Sequence, residues 1–363
     1  MKIAFLGLRQ AFDYFQIGGT ESFVRRIATQ MVKEGNEIDY ILYGDKENKE
    51  IEVIPGLILR YFITFEDALE TLSEKYEHII IIYLLPKNRL KYATFRKQKK
   101  NKTKFHFVYF SWPDSLIKRK LYFSEARLFP YNGKLFCISK RQYEYVSKWA
   151  DNAIYLLPPV PGNYFLTPEE KQKNEKIKVT FLGRIDPGKG IRKVIDIFKT
   201  LKGGDKYECC IYGIHIPEDK QSLEIRNWLR KQKDIKYIEV DRQRYSPSVD
   251  DYVRCVLKET DIFIQPYQRL SSTIDTPLLL LEAMASLCAV LTKPYGNIPD
   301  IYGKSKFLIS PERFVQDTIK LLKGISYDEL LTERNRIYEQ NLRLNFNSEN
   351  IAEIFLENIN KGK

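Results

Sequence analysis

Residues 178–201, KVTFLGRIDPGKGIRKVIDIFKTL, pass from a short apolar stretch through a glycine-rich turn with two cations into an amphipathic segment. Val179, Phe181 and Leu182 read as a buried strand, and Ile191, Val194, Ile195, Phe198 and Leu201 recur at helical spacing on one apolar face. In the turn, Gly183, Gly188 and Gly190 let backbone N–H groups come close to a ligand, Pro187 fixes the path, and a helix N-terminus follows. Arg184 supplies a bidentate fork and Lys189 a point charge, which suits one phosphate-sized anion. The pattern also suits an ordinary strand-to-helix turn with two solvated cations, since short glycine motifs recur without function.

At 363 residues the chain is long for one core, which suggests about two domains. A hydrophobic fraction of 44% with 29% charged residues is globular rather than disordered. The net charge of +12 favours an anionic partner, whether nucleotide phosphates, an acidic membrane face or nucleic acid, and it also fits a generally lysine-rich surface. Cys137, Cys209, Cys210, Cys255 and Cys288 lie mostly inside apolar runs and read as buried thiols of a reducing compartment. No C-x-x-C pair occurs and His78, His106 and His215 are scattered, so no metal site is expected. The start, MKIAFLGL, reads as a first strand rather than a signal peptide, and no run reaches the roughly 18 apolar residues that span a bilayer. A cytoplasmic protein is expected, free or attached to the cytoplasmic face of a membrane.

Before the opening stretch the chain begins as strand, helix, strand. Residues 3–8 are a buried strand, a polar and aromatic loop leads to Gly18 and Gly19, and Thr20 caps a helix whose core face is Phe23, Val24, Ile27, Ala28, Met31 and Val32. Residues 38–43, 57–63 and 78–84 add strands, with a helical segment near 65–76. No G-x-G-x-x-G joins the first strand to the first helix, which argues against a dehydrogenase. Residues 87–104 carry nine Lys or Arg, no acid, and interleaved Leu90, Tyr92 and Phe95. Such a segment could dock on anionic lipid through Arg96, Lys97, Lys99 and Lys100, or be a solvated basic surface. It belongs to no recognised nucleic-acid-binding module, and nucleic acid is not the expected partner.

Residues 105–110 read as a strand ending at Ser111 and Trp112, which could face a substrate. Residues 135–139 and 154–157 add two more. A proline cluster followed by a charged run near 160–176 marks the boundary, giving domains of 1–165 and 166–363. The second half continues as α/β with strands near 208–212, 235–240 and 261–267. Residues 278–289 read as a buried helix with one carboxylate, Glu282, which such surroundings tolerate only with a specific partner. A ligand hydroxyl could be that partner, and so could a neighbouring backbone group or an arginine. From residue 311 the chain reads as helical, with Ser326 and Asn347 as caps.

Taken together, these segments resemble the retaining GT-B glycosyltransferases, specifically glycosyltransferase family 4, over nearly the whole chain. GGTESFVRRIATQMVKEGNEI from Gly18 resembles the family's N-terminal glycine loop and first helix, and LFCIS at 135–139 the strand closing the first domain. FLGRIDPGKGI at 181–191 is similar to the donor-phosphate motif, and PLLLLEAMASLCAVLTKPYGNIPDI at 277–301 to the nucleotide-sugar helix, strand and glycine turn. The resemblance implies an α/β fold of two Rossmann-like domains facing a cleft. The first, 1–165, would take the acceptor and the second, 166–363, the donor, with a C-terminal helix returning to the first.

By position, the resemblance implies that Arg184 and Lys189 hold the donor diphosphate and neutralise the leaving group without a metal. Glu282 would accept from the ribose hydroxyls. Gly18, Gly19 and Gly183 would bring backbone close to the donor or acceptor, and Asp275, Thr276, Pro277 and Leu278 stand where the family has its small donor loop. Two positions depart from the pattern. Ile274 replaces the first of two glutamates, so that either Asp275 beside it takes over the sugar contacts, or backbone groups suffice, or the site is altered; Ser111 or Trp112 stands where a histidine often contacts the sugar. His106 lies inside the strand and reads as packing. The implied activity is retaining, metal-independent hexosyl transfer from a nucleotide diphosphate sugar, a UDP-sugar, to a glycolipid or glycan, with no separate cofactor. A non-catalytic subunit or glycan-binding module of the same fold is the competing class, and a GT-B epimerase or phosphorylase a third.

Overall fold

The computed structural model describes residues 1–12, 18–72, 75–201, 204–214, 219–233, 235–240, 248–267 and 274–361. Residues 13–17 of the aromatic loop before Gly18, and His215, fall outside them. The chain forms two compact units. Unit 1 is Met1–Pro161, Ile274–Thr276 and Phe346–Lys363, and unit 2 is Gly162–Thr273 and Pro277–Asn345. The division falls four residues before the 165/166 boundary placed from the sequence. The reason is Tyr164, which is 1% exposed and whose hydroxyl donates to Asp250 O of unit 2 at 2.6 Å.

The first part of unit 1 comprises β1 (Lys2–Gly7), α1 (Gly19–Lys33), β2 (Glu37–Tyr43), β3 (Lys49–Ile54), β4 (Leu57–Phe62), α2 (Phe65–Leu72) and β5 (His78–Ile81). It continues with α3 (Arg89–Lys99), β6 (Lys104–Tyr109), α4 (Leu116–Leu128), β7 (Leu135–Cys137), α5 (Lys140–Val146) and β8 (Ala153–Tyr155). The sheet order is β3-β4-β2-β1-β5-β6-β7-β8, with every pair parallel except β3 and β4. In β1, Ile3, Ala4, Phe5 and Leu6 are all fully buried, as a strand covered on both faces requires. Helix α1 starts at Gly19 behind an extended Gly18, one residue before the cap expected at Thr20. His106 is buried against His78, Nε2 to Nδ1 at 3.1 Å, and its Nδ1 accepts the Lys134 N–H at 2.8 Å, which makes it a packing residue.

The basic run folds as α3 and packs by its apolar positions. Tyr92 and Phe95 turn inward, and Arg96 turns with them to 5% exposure. Its Nη2 donates to Glu125 Oε1 at 2.8 Å and its guanidinium lies 3.6 Å over the Tyr131 ring. Arg96, expected beside Lys97, Lys99 and Lys100 on the outer face, is therefore an interior ion pair. Lys97 and Lys100 are exposed and Lys99 is half-buried.

Unit 2 comprises β9 (Ile177–Arg184), α6 (Ile191–Leu201), β10 (Tyr207–Ile214), α7 (Lys220–Arg230), β11 (Lys236–Val240), α8 (Val249–Glu259) and β12 (Ile262–Gln265). Then come α9 (Leu278–Ala285), β13 (Ala289–Thr292), α10 (Ile298–Tyr302), α11 (Phe314–Gly324) and α12 (Tyr327–Leu344). Its five strands are parallel in the order β11-β10-β9-β12-β13, so the opening stretch of the sequence supplies the central strand. Lys171 is buried and its Nζ donates to the carbonyls of Leu257, Thr260 and Ser286 at 2.9, 2.6 and 2.8 Å, tying the ends of α8 and α9 together. Ser326 caps α12 in a capping box with Glu329, and Asn347 caps α13 (Ser348–Asn360), as their sequence suggests. Helix α13 returns to unit 1, where Phe355 stacks on Phe136 with ring centroids 4.0 Å apart.

Glu125→Ala leaves the buried Arg96 guanidinium without its carboxylate and should destabilise unit 1 by about 3–5 kcal/mol. Lys97→Ala and Lys100→Ala, on the outer surface, should each change stability by less than about 0.5 kcal/mol. Urea unfolding followed by tryptophan fluorescence compares the three, and equal midpoints would refute the interior pairing.

Candidate active site

In open parallel sheets ligands gather at the carboxyl ends of the strands. In unit 2 that edge is built by the turn after β9. Asp186 Oδ1 accepts the Gly188 N–H at 2.7 Å and closes a one-turn 3-10 helix, Pro187–Lys189. Gly190 then takes φ +80°, and a side chain there would strike the Pro266 carbonyl, so glycine is required before α6 can begin.

This tight path carries Lys189 inward. The side chain is 9% exposed, with Nζ 4.1 Å over the Tyr267 ring. Burial and then the positive Arg184 guanidinium push its pKa down to about 7, with Asp186 opposing them. Arg184 itself ends β9 and is exposed. Two cations thus share one turn, and each disfavours the other's charge.

The neighbouring connection brings a second pair that the sequence did not single out. Lys293, immediately after β13, donates to Tyr267 O at 3.0 Å. Its pKa falls to about 8 through burial and then the nearby Lys193 of α6, with Glu312 opposing. Lys193 and Lys293 lie 6.0 and 5.7 Å from the Phe314 ring. Because β9, β12 and β13 are adjacent and parallel, all four cations follow strand ends or helix starts on one edge. Helix α9 starts from that edge with Pro277 at its N-cap, and Glu282, 6% exposed, is its fifth residue, about 6 Å along its axis. Gly183, Pro277 and Leu278 belong to unit 2 as well.

The other candidate residues lie in unit 1, near the carboxyl ends of β6 and β7. Asp275 is 5% exposed there. Its N–H donates to Phe110 O at 3.0 Å, its carboxylate accepts from Arg141 Nε at 2.8 Å and from Arg141 Nη2, and the Ser139 hydroxyl donates to it. Thr276 Oγ1 donates to Ile138 O at 2.5 Å. A methyl at Gly19 would come within 2.8 Å of Ile274 Cδ1, and one at Gly18 would strike the Glu21 carboxylate, so both glycines already have packing reasons. Ser111 is exposed and Trp112 half-buried. The Arg119 and Arg141 guanidiniums lie 4.3 and 5.0 Å from the Trp112 ring. Arg119, Arg141, Lys193 and Lys293 gave no sequence signal, since each is a lone cation among many. Among the described residues no group of three or more His, Cys, Asp or Glu could hold a metal ion.

The two parallel-sheet units together have the GT-B glycosyltransferase fold. Sucrose-phosphate synthase from Thermosynechococcus elongatus aligns over 98% of both chains at TM-score 0.69 and 15% identity. Anabaena HepE in complex with UDP and glucose aligns over 99% of this chain and 100% of its own, at TM-score 0.71 and 13% identity. A trehalose-6-phosphate structure from E. coli bound with UDP-2-fluoro glucose covers 99% of both chains at TM-score 0.69 and 8% identity. No curated protein matches the sequence. The profile described as "Glycosyl transferases group 1" matches residues 165–343, so that segment carries the group 1 glycosyl transferase signature.

Lys189 is held below its ordinary pKa, so the folded state opposes its charge. The resulting loss of stability is full below about pH 7 and fades as pH rises towards the unfolded lysine value near 10.4. Lys189→Met should therefore raise unfolding stability by a few kcal/mol at pH 6, with a smaller gain at pH 9. Urea titrations at the two pH values check this, and a variant less stable than the parent at pH 6 would refute the buried, repelled ammonium.

Proposed function

We propose that this glycosyltransferase moves a sugar from a UDP-sugar to a glycolipid or glycan acceptor from the cytoplasmic side, with retention at the anomeric carbon and without a metal. The observation that supports it most is the Lys189 and Arg184 pair, one buried and one exposed, on a glycine turn at the end of a central parallel strand. Two structurally similar proteins are known in complex with UDP and glucose and with UDP-2-fluoro glucose, which points the same way.

In this reading Arg184 brackets the diphosphate and Lys189 approaches it from the protein side. Glu282 accepts hydrogen bonds from the ribose hydroxyls, and Gly183, Pro277 and Leu278 border the nucleotide sugar. The acceptor hydroxyl attacks the anomeric carbon on the face from which UDP leaves. The carbon–phosphate-oxygen bond breaks with its electron pair on the β-phosphate, and the hydroxyl proton passes to that oxygen. Arg184 and Lys189 stabilise the growing negative charge, a preorganised electrostatic effect of the kind that dominates many enzymatic rates. Gly18, Gly19, Ser111, Trp112, Asp275 and Thr276 border the acceptor or the transferred sugar.

The engagement of Asp275 by Arg141 and Ser139 favours a second reading, a non-catalytic subunit or glycan-binding module, because the acid nearest the altered Ile274 position is already occupied. The two readings diverge in turnover. Arg184→Ala and Lys189→Ala should each lower sugar transfer or UDP release by about 10²–10³-fold while the fold is retained. Turnover by both variants equal to the parent's removes their catalytic assignment, and UDP binding by the parent with no turnover of any UDP-sugar selects the second reading.

Binding should also carry a proton signature. Free Lys189 is half-charged near pH 7, and a diphosphate favours its charged form, so UDP binding at pH 8 should take up close to one proton, and much less at pH 6. Calorimetry in two buffers of different ionisation enthalpy reads this directly. Equal heats in both buffers at pH 8 would show that Lys189 does not meet the phosphates.

A further inference from the structure

Helix α4 is apolar on two sides. Phe123 and Ala126, with half-buried Arg119 and Tyr122, form the side turned into unit 1. At 100° per residue, Ile117, Leu121 and Leu128 fall within about 40° of one another, on a side roughly opposite that set. They are 74%, 59% and 69% exposed. Lys120 and Arg127 border this stripe on one flank and Lys118 on the other, all exposed. The first turn of α3 lies against it, since Arg89 Nη1 donates to Leu121 O at 3.0 Å, and it adds Leu90, 68% exposed.

Isolated exposed leucines are ordinary on soluble proteins. Here, of twelve large apolar side chains exposed among the described residues, five (Leu90, Leu116, Ile117, Leu121 and Leu128) lie on these two helices, and Ile117, Leu121 and Leu128 share one stripe, so the exposure is concentrated rather than scattered. Its rim is cationic. The single carboxylate of α3 and α4, Glu125, is buried with Arg96 and does not offset it. A second copy of the chain, meeting this face symmetrically, would bring two cationic rims together. An anionic lipid surface accepts both parts, taking the apolar side chains at the acyl boundary and the cations at the headgroups.

We propose that the outer face of α4, with Leu90 of α3, docks on an anionic lipid bilayer. The contact is therefore centred on α4, and the basic run of α3 serves as its flank. Ser111 and Trp112 lie between β6 and this helix, so docking sets that end of the unit 1 sheet beside the bilayer. This deepens the transferase reading by naming where the acceptor is met, and for that clause alone it rests on that reading.

Docking is tested without turnover, by co-sedimentation of the full chain with vesicles of phosphatidylcholine alone and of equimolar phosphatidylcholine and phosphatidylglycerol. The parent should bind the mixed vesicles. The triple variants Ile117→Ser/Leu121→Ser/Leu128→Ser and Lys118→Glu/Lys120→Glu/Arg127→Glu should each lower the partition coefficient by at least about tenfold, and Lys97→Glu/Lys100→Glu by less than about threefold. The proposal is overturned by a parent that does not bind mixed vesicles, or by α4 variants that bind like the parent. It is also overturned if loss is confined to the Lys97/Lys100 variant, or if the parent is a dimer in sedimentation velocity that the serine variant dissolves. The thermal shift given by UDP, unchanged in all variants, shows that folding and the unit 2 site are intact. Vesicle binding without any UDP shift in the parent would remove the transferase reading and leave docking standing.

Discussion

The desolvated ammonium of Lys189 is the constraint around which the edge of the unit 2 sheet is built. A lysine is normally charged and hydrated, and here a one-turn helix delivers it under the Tyr267 ring beside another cation. Nothing in packing alone favours this, because an apolar residue of similar volume would fill the space without desolvating a charge. The local geometry that enforces it is specific. Asp186 closes the turn, Gly190 adopts a left-handed conformation against Pro266, and β9 holds the central place in a five-stranded parallel sheet. Stability is given up at a point where binding a diphosphate would recover it, as in many sites that store unfavourable electrostatics for use.

A second level of organisation follows from Lys193 and Lys293. They extend the positive edge from the turn after β9 to the turn after β13, and Tyr267 touches both ends, through its ring to Lys189 and through its carbonyl to Lys293. The site is thus a row of cations along one sheet edge. In unit 1 the cations are handled differently: Arg141 is matched by Asp275, and Arg119 by the Pro113 carbonyl and the Trp112 face. In unit 2 the cations gather along a sheet edge, whereas Arg141 and Arg119 are each held by groups of unit 1 itself.

Much of this was legible in the sequence. The 178–201 stretch showed a buried strand, a glycine turn and an amphipathic helix, because period and glycines agreed there. The single acid in the apolar 278–289 segment stood out for the same reason, as did the caps of the last two helices. Helix α4 was not legible, since LIKRKLYFSEARL is apolar on two sides and shows no single stripe. Strand β3 was hidden because it is an antiparallel edge with three of its residues exposed. Arg96 could not be told from its basic neighbours, as only the fold supplies Glu125 from 29 residues away. Asp275 was read with the donor loop, but residues 274–276 pack with unit 1, a tertiary fact with no local signature.

The chain builds most of unit 1, leaves to form unit 2 and then returns to unit 1. Its core is closed by α13, with Phe355 on Phe136, the Val160 N–H donating to Phe346 O, and the Ser348 N–H donating to Val160 O. Most of unit 2 is encoded between those partners. During synthesis, therefore, the second unit emerges and can assemble while the first still waits for its closing helix. Loss of α13 would injure the unit encoded first rather than the one encoded just before it.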